Sequence, residues 1–86
     1  MLKLQLALDF MPLEEALKVA QKVEEYVDWI EAGTTIILDE GNRFIRELKK
    51  CFPSKPIVAD LKIIAGEKYI AENAIKAGAD IVVVQT

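Results

Sequence analysis

The run Leu4-Gln5-Leu6-Ala7-Leu8-Asp9 alternates apolar and polar positions and predicts a first strand. Pro12 suits the first turn of a helix. Beyond it Leu13, Ala16, Leu17, Ala20 and Val23 recur at helical spacing, with Glu14, Glu15, Lys18, Lys22 and Glu25 between them. Val27 to Glu31 predicts a second strand. Gly33-Thr34-Thr35 reads as a loop, and Ile36-Ile37-Leu38 as a short helical turn or loop. A second helix is expected from about Glu40 to Phe52, its buried stripe formed by Phe44, Ile45, Leu48 and Phe52, with Pro53 and Pro56 ending it. Strand three follows at Ile57 to Leu61. A third helix runs from Gly66 or Glu67 to Ala77, closed by Gly78, and Ile81 to Val84 forms strand four. The order β-α-β-α-β-α-β predicts one α/β domain over residues 1–86. It should hold a parallel sheet with buried faces and right-handed crossovers.

Three of these strands end in an acid: Asp9, Glu31 and Asp60. All three then lie at the C-terminal edge of the sheet, where parallel α/β proteins place ligands. Asp60 and Lys62 fall on the same face of strand three, about 7 Å apart along it. The acid keeps the lysine protonated. Such a pair can hold a phosphate or a developing enolate, or can be a satisfied ion pair. Clustered carboxylates repel unless a cation sits among them, and Asp60 with Glu31 offers the oxygen ligands that Mg2+ prefers. Asp80 starts strand four, at the opposite edge, and reads as structural. Asp28 occupies a similar position ahead of the apolar part of strand two. Arg43, Arg46, Lys49 and Lys50 read as the solvated face of the second helix.

Composition narrows the chemistry. Of 86 residues, 52% are hydrophobic and 29% charged, as in a globular domain. The net charge of −3, with no basic block, argues against nucleic acid as a partner. Histidine is absent, so any acid, base or metal ligand must come from Asp, Glu, Lys or Tyr. The lone Cys51 suits a reducing compartment. With no membrane-crossing segment and no leader pattern, the expected location is the cytoplasm.

Four segments carry a resemblance to a known family: Leu4 to Asp9, Val27-Asp28-Trp29-Ile30-Glu31-Ala32-Gly33-Thr34, Ala59-Asp60-Leu61-Lys62, and Ala77-Gly78-Ala79-Asp80-Ile81-Val82. Together they resemble the 3-hexulose-6-phosphate synthase and 3-keto-L-gulonate-6-phosphate decarboxylase group of the orotidine 5′-phosphate decarboxylase superfamily. The resemblance implies the N-terminal half of an eight-stranded (β/α) barrel. It implies Asp9 near substrate hydroxyls, Glu31 and Asp60 as Mg2+ ligands, and Lys62 stabilising the enediolate of a sugar phosphate. The family motif Asp-x-Lys-x-x-Asp here ends in Ala65, and Ile63-Ile64 makes the loop apolar. Two functions follow as alternatives. One is a Mg2+-dependent aldolase or lyase, or an incomplete fragment of one. The other is a catalytically inactive half-barrel serving as a structural and self-assembly module. Because the sequence stops just after strand four, two copies are expected to close a barrel as a homodimer by pairing strand four of one with strand one of the other.

Overall fold

The computed structural model describes residues 2–63 and 66–84. Four strands, β1 (Gln5–Leu8), β2 (Trp29–Ala32), β3 (Ile57–Ile63) and β4 (Ile81–Val84), form one parallel sheet in the order β1-β2-β3-β4. Helix α1 (Leu13–Val23) and a 3-10 turn at Glu24–Tyr26 connect β1 to β2. Helices α2 (Thr34–Glu40) and α3 (Arg43–Cys51) connect β2 to β3, and α4 (Glu67–Ala77) connects β3 to β4. This is the expected parallel half-barrel.

Two local differences from the sequence reading concern the middle of the chain. The segment read as a loop and a helical turn is one helix, α2, entered from Gly33 and holding Ile36 buried. It lacks a polar N-cap of its own, which hid it from a reading based on capping residues. The helix expected from Glu40 instead begins at Arg43. Gly41, at φ 65°, breaks the run, a conformation cheap only for glycine.

Strand register sorts the side chains between two faces. Leu8, Ile30, Ala32, Ile57 and Ala59 pack with Leu13, Ala16 and Ala20 of α1, Ile36 of α2, Phe44, Ile45 and Leu48 of α3, and Ala74 of α4. The other face, which would turn inward in a barrel, carries Gln5, Ala7, Glu31, Val58, Asp60, Ile81 and Val83. Val58 is buried there, but Gln5, Ala7, Ile81 and Val83 are exposed. The expectation of two buried faces therefore holds for the helix side alone, because the connecting helices pack on that side. The apolar character of β4 belongs to a surface that is open here, with Val83 at 41% exposure.

The N-terminal edge is tied by two equivalent clamps. Asp28 donates its backbone N–H to Leu4 O at 2.8 Å and accepts the Leu4 N–H on its carboxylate at 2.8 Å. Asp80 does the same with Ile57, at 2.8 Å and 2.9 Å. Each aspartate thus locks the start of its strand to the start of the strand before it. Asp80 also receives Lys49 Nζ at 2.9 Å, which in turn reaches Lys55 O at 3.1 Å. Lys49 is therefore a clamp residue and not part of a solvated face. Asp80 is structural, as its position implied.

Candidate functional site

The first turn of α2 organises the C-terminal edge of the sheet. Thr35 donates its backbone N–H to Asp9 Oδ1 at 3.0 Å, and its hydroxyl binds the same oxygen. The Phe10 N–H then donates to Thr35 Oγ1 at 2.9 Å, with Phe10 at φ 58°. Thr34 donates its hydroxyl to Asp60 O at 2.7 Å. The two threonines thereby tie the residues just after β1 and the middle of β3 to one helix start. Gly33 makes this approach sterically feasible, since a Cβ there would lie 2.6 Å from Asp9 Cγ.

Asp60 and Lys62 meet directly, Nζ to Oδ2 at 2.8 Å. They share a face as expected, but the contact has a further cause. Lys62 adopts φ 49° and the β3–β4 register shifts between Asp60 and Ile63, so a bulge carries the lysine out of regular strand geometry. A left-handed non-glycine residue stores about 1–3 kcal/mol of strain, and such residues cluster at functional sites. The Asp60 carboxylate raises Lys62 above the usual lysine range, which keeps the ammonium charged.

Glu31 stands next to this pair on the inward face, its register partner Val58 lying two residues before Asp60. Burial pushes its carboxyl above the ordinary glutamate range. A hydrogen bond from Gln5 opposes that rise, and the neighbouring Asp60 carboxylate adds to it. Gln5 Nε2 donates to Glu31 Oε1 at 2.6 Å. The remaining oxygen of Asp60, Oδ1, is buried and has no hydrogen-bond partner among the described residues. Buried polar atoms are nearly always satisfied. An unsatisfied carboxylate oxygen beside a second carboxylate fits a divalent cation that takes one or two protein oxygens and fills its remaining positions with water or substrate. No cluster of three or more ligating side chains exists among the described residues.

The structure thus gathers Glu31, Asp60 and Lys62, with Asp9 on the same edge and close enough for its charge to act on Lys62. Ile64 and Ala65, where the sequence leaves the family motif, lie outside the described residues. Gln5, Thr34 and Thr35 join the site without having been predicted. The alternation of β1 does place Gln5 on the inward face, but only the β1–β2 register shows that it reaches Glu31.

The chain matches the family described as orotidine 5′-phosphate decarboxylase / HUMPS over residues 2–86. It belongs to that family. Among its relatives, 3-hexulose-6-phosphate synthase of Bacillus subtilis is 42% identical over 96% of this chain, and that of Mycobacterium gastri 47% identical over the same share. The chain spans about 40% of the length of each of these relatives. Solved structures of family members superpose closely. A 3-hexulose-6-phosphate synthase matches with TM-score 0.93 at 47% identity, over 96% of this chain and 40% of the other. The 3-keto-L-gulonate-6-phosphate decarboxylase of Vibrio cholerae matches with TM-score 0.93 at 36% identity, over 95% of this chain and 38% of the other. The sheet described above is thus the half-barrel of the orotidine 5′-phosphate decarboxylase / HUMPS fold. No helix among the described residues is long and apolar enough to cross a membrane.

Proposed function

We propose that this chain carries the acidic and cationic part of a 3-hexulose-6-phosphate synthase-type site, a Mg2+-dependent aldolase or lyase site acting on the enediolate of a pentulose 5-phosphate. The observation that supports it most is the divided state of Asp60: Lys62 occupies one oxygen, and the other is buried, unpartnered among the described residues and beside Glu31. Glu31 and Asp60 would hold the cation. When bound, Mg2+ supplies Lewis-acid stabilisation of negative charge on substrate oxygens. Lys62 places a fixed positive charge where charge develops on the enediolate, and Asp60 orients that ammonium. Asp9, its Oδ1 fixed by Thr35, would orient substrate hydroxyls at the edge of the site. Lys62, Asp60 and Asp9 are the proposed catalytic residues, with a cytoplasmic sugar phosphate as substrate.

The test is calorimetric titration of the intact chain with Mg2+. Saturable uptake that falls at least tenfold in both Glu31→Gln and Asp60→Asn is expected. A wild-type chain that takes up no Mg2+ at millimolar concentration sinks the metal assignment.

A second reading is favoured by the open inward face and by β1 and β4, each paired on one side only among the described strands. In it the chain is a catalytically inactive half-barrel, and two copies close eight strands as a homodimer, covering otherwise exposed edges. Sedimentation in dilute solution distinguishes the two states. A stable monomer removes the homodimer.

A further inference from the structure

We infer that Gln5 is a positioning residue for Glu31, setting which carboxylate oxygen is free to meet a cation; this rests on the metal reading above. Gln5 precedes Ala7 by one inward-facing position on β1, and Ala7 is the register partner of Glu31. The Gln5 side chain reaches across to β2, and its amide donates to Glu31 Oε1 at 2.6 Å. Core packing does not account for this contact. Gln5 is exposed and stands on the open face, outside the apolar cluster against the helices.

The chemistry of the donor matters as much as its place. An amide is neutral, so it fixes the carboxylate without cancelling its charge, whereas an ammonium or guanidinium at the same position would compete with a cation for Glu31. A glutamate rotates about three side-chain bonds, and a ligand that must be ordered on binding loses affinity through that freedom. One oxygen anchored from β1 leaves the other free as the ligating atom of a carboxylate that Asp60 is close enough to influence. Partners that hold metal-ligating carboxylates typically govern affinity by about 10–100-fold.

The experiment uses Mn2+ as the probe, followed by electron paramagnetic resonance of the intact chain, with urea denaturation of the metal-free protein in parallel. Gln5→Leu should weaken Mn2+ binding about tenfold or more while leaving the unfolding midpoint in place. Gln5→Asn keeps an amide but is one methylene too short, and should lose affinity to a similar degree. In the metal-free wild type, the Gln5 side-chain amide resonances should move on Glu31→Ala. Wild-type affinity in both Gln5 variants, or Gln5 amide resonances indifferent to Glu31→Ala, overturns the inference while leaving the metal reading standing. A wild-type chain that binds no Mn2+ overturns both. A lowered unfolding midpoint with unchanged affinity makes Gln5 a plain tie between strands and overturns the inference alone.

Discussion

At the N-terminal edge of the sheet, Asp80 Oδ2 accepts the Ile57 N–H and the Lys49 ammonium, and the Asp80 backbone closes the ring by donating to Ile57 O. At the C-terminal edge, Asp60 gives Oδ2 to an exposed lysine and leaves Oδ1 buried without a donor among the described residues. Both are aspartates beside a lysine on neighbouring strands, yet Asp80 takes a backbone and a lysine donor on Oδ2 and is exposed to solvent, whereas Asp60 keeps one oxygen buried without a donor among the described residues. The charge environments diverge accordingly. Lys49 and the Ile57 N–H hold the Asp80 carboxyl below the ordinary aspartate range, whereas Glu31 beside Asp60 is raised by burial and by a like charge. A satisfied acid contributes to folding. An acid left short of partners costs stability and keeps a position open for something else, a common division of labour between the two ends of a β/α barrel.

The strongest way to break this comparison is at Asp80. Asp80→Ala removes the acceptor for a backbone N–H and for Lys49, and should lower stability by about 2 kcal/mol in urea denaturation. Mg2+ affinity should not move, because nothing in the clamp touches the other edge. A loss of Mg2+ binding alongside would mean that the two edges are coupled. Asp60→Asn should act in the opposite sense. It should reduce Mg2+ affinity at least tenfold, about 1.4 kcal/mol, while metal-free stability stays level or rises, since a neutral amide relieves the crowding with Glu31. A marked destabilisation would show instead that the Asp60–Lys62 pair holds the fold. Asp28→Ala should cost about 1 kcal/mol, less than Asp80→Ala, because Asp28 accepts one backbone N–H from Leu4 and has no lysine partner among the described residues.

How far the two edges could be read from residues alone differs for the same physical reason. Leu4 to Asp9 and Ile57 to Leu61 declare strands by local pattern, and Leu13 to Val23 declares a helix, because burial of one face imposes the period. The acids at strand ends were visible too, since strand order and direction follow from the β-α alternation. Contacts that depend on register were not legible. Gln5 meets Glu31 only because β1 and β2 align Ala7 with Glu31. Lys49, on a helix that also carries Arg43, Arg46 and Lys50, looked solvated because its partners, Asp80 and the Lys55 carbonyl, lie on other elements. Helix α2 was legible only as a short helical turn or loop at Ile36 to Leu38, because its start is satisfied by Asp9, an acid just beyond β1, in place of a local cap. The bulge that brings Lys62 back to Asp60 has no local signal either, since Lys62 is not a glycine and its left-handed backbone is imposed by its surroundings.

The smallest effect isolates the charge at Asp80. Asp80→Asn keeps an oxygen for the Ile57 N–H and removes only the ionic part of the bond to Lys49. The ionic pair is partly solvated, with side chains 31% and 43% exposed, so it should contribute less than about 1 kcal/mol near neutrality. Its pH dependence gives it a signature. The folded-state pKa of Asp80 is lowered, so the wild-type advantage over Asp80→Asn is present above the unfolded value of about 3.9. It should be lost as pH falls through the lower folded value. Urea midpoints of the two proteins should therefore run parallel above about pH 5 and converge below about pH 4. A gap that persists undiminished well below about pH 4 would mean that packing at Asp80, and not its charge, closes the N-terminal edge.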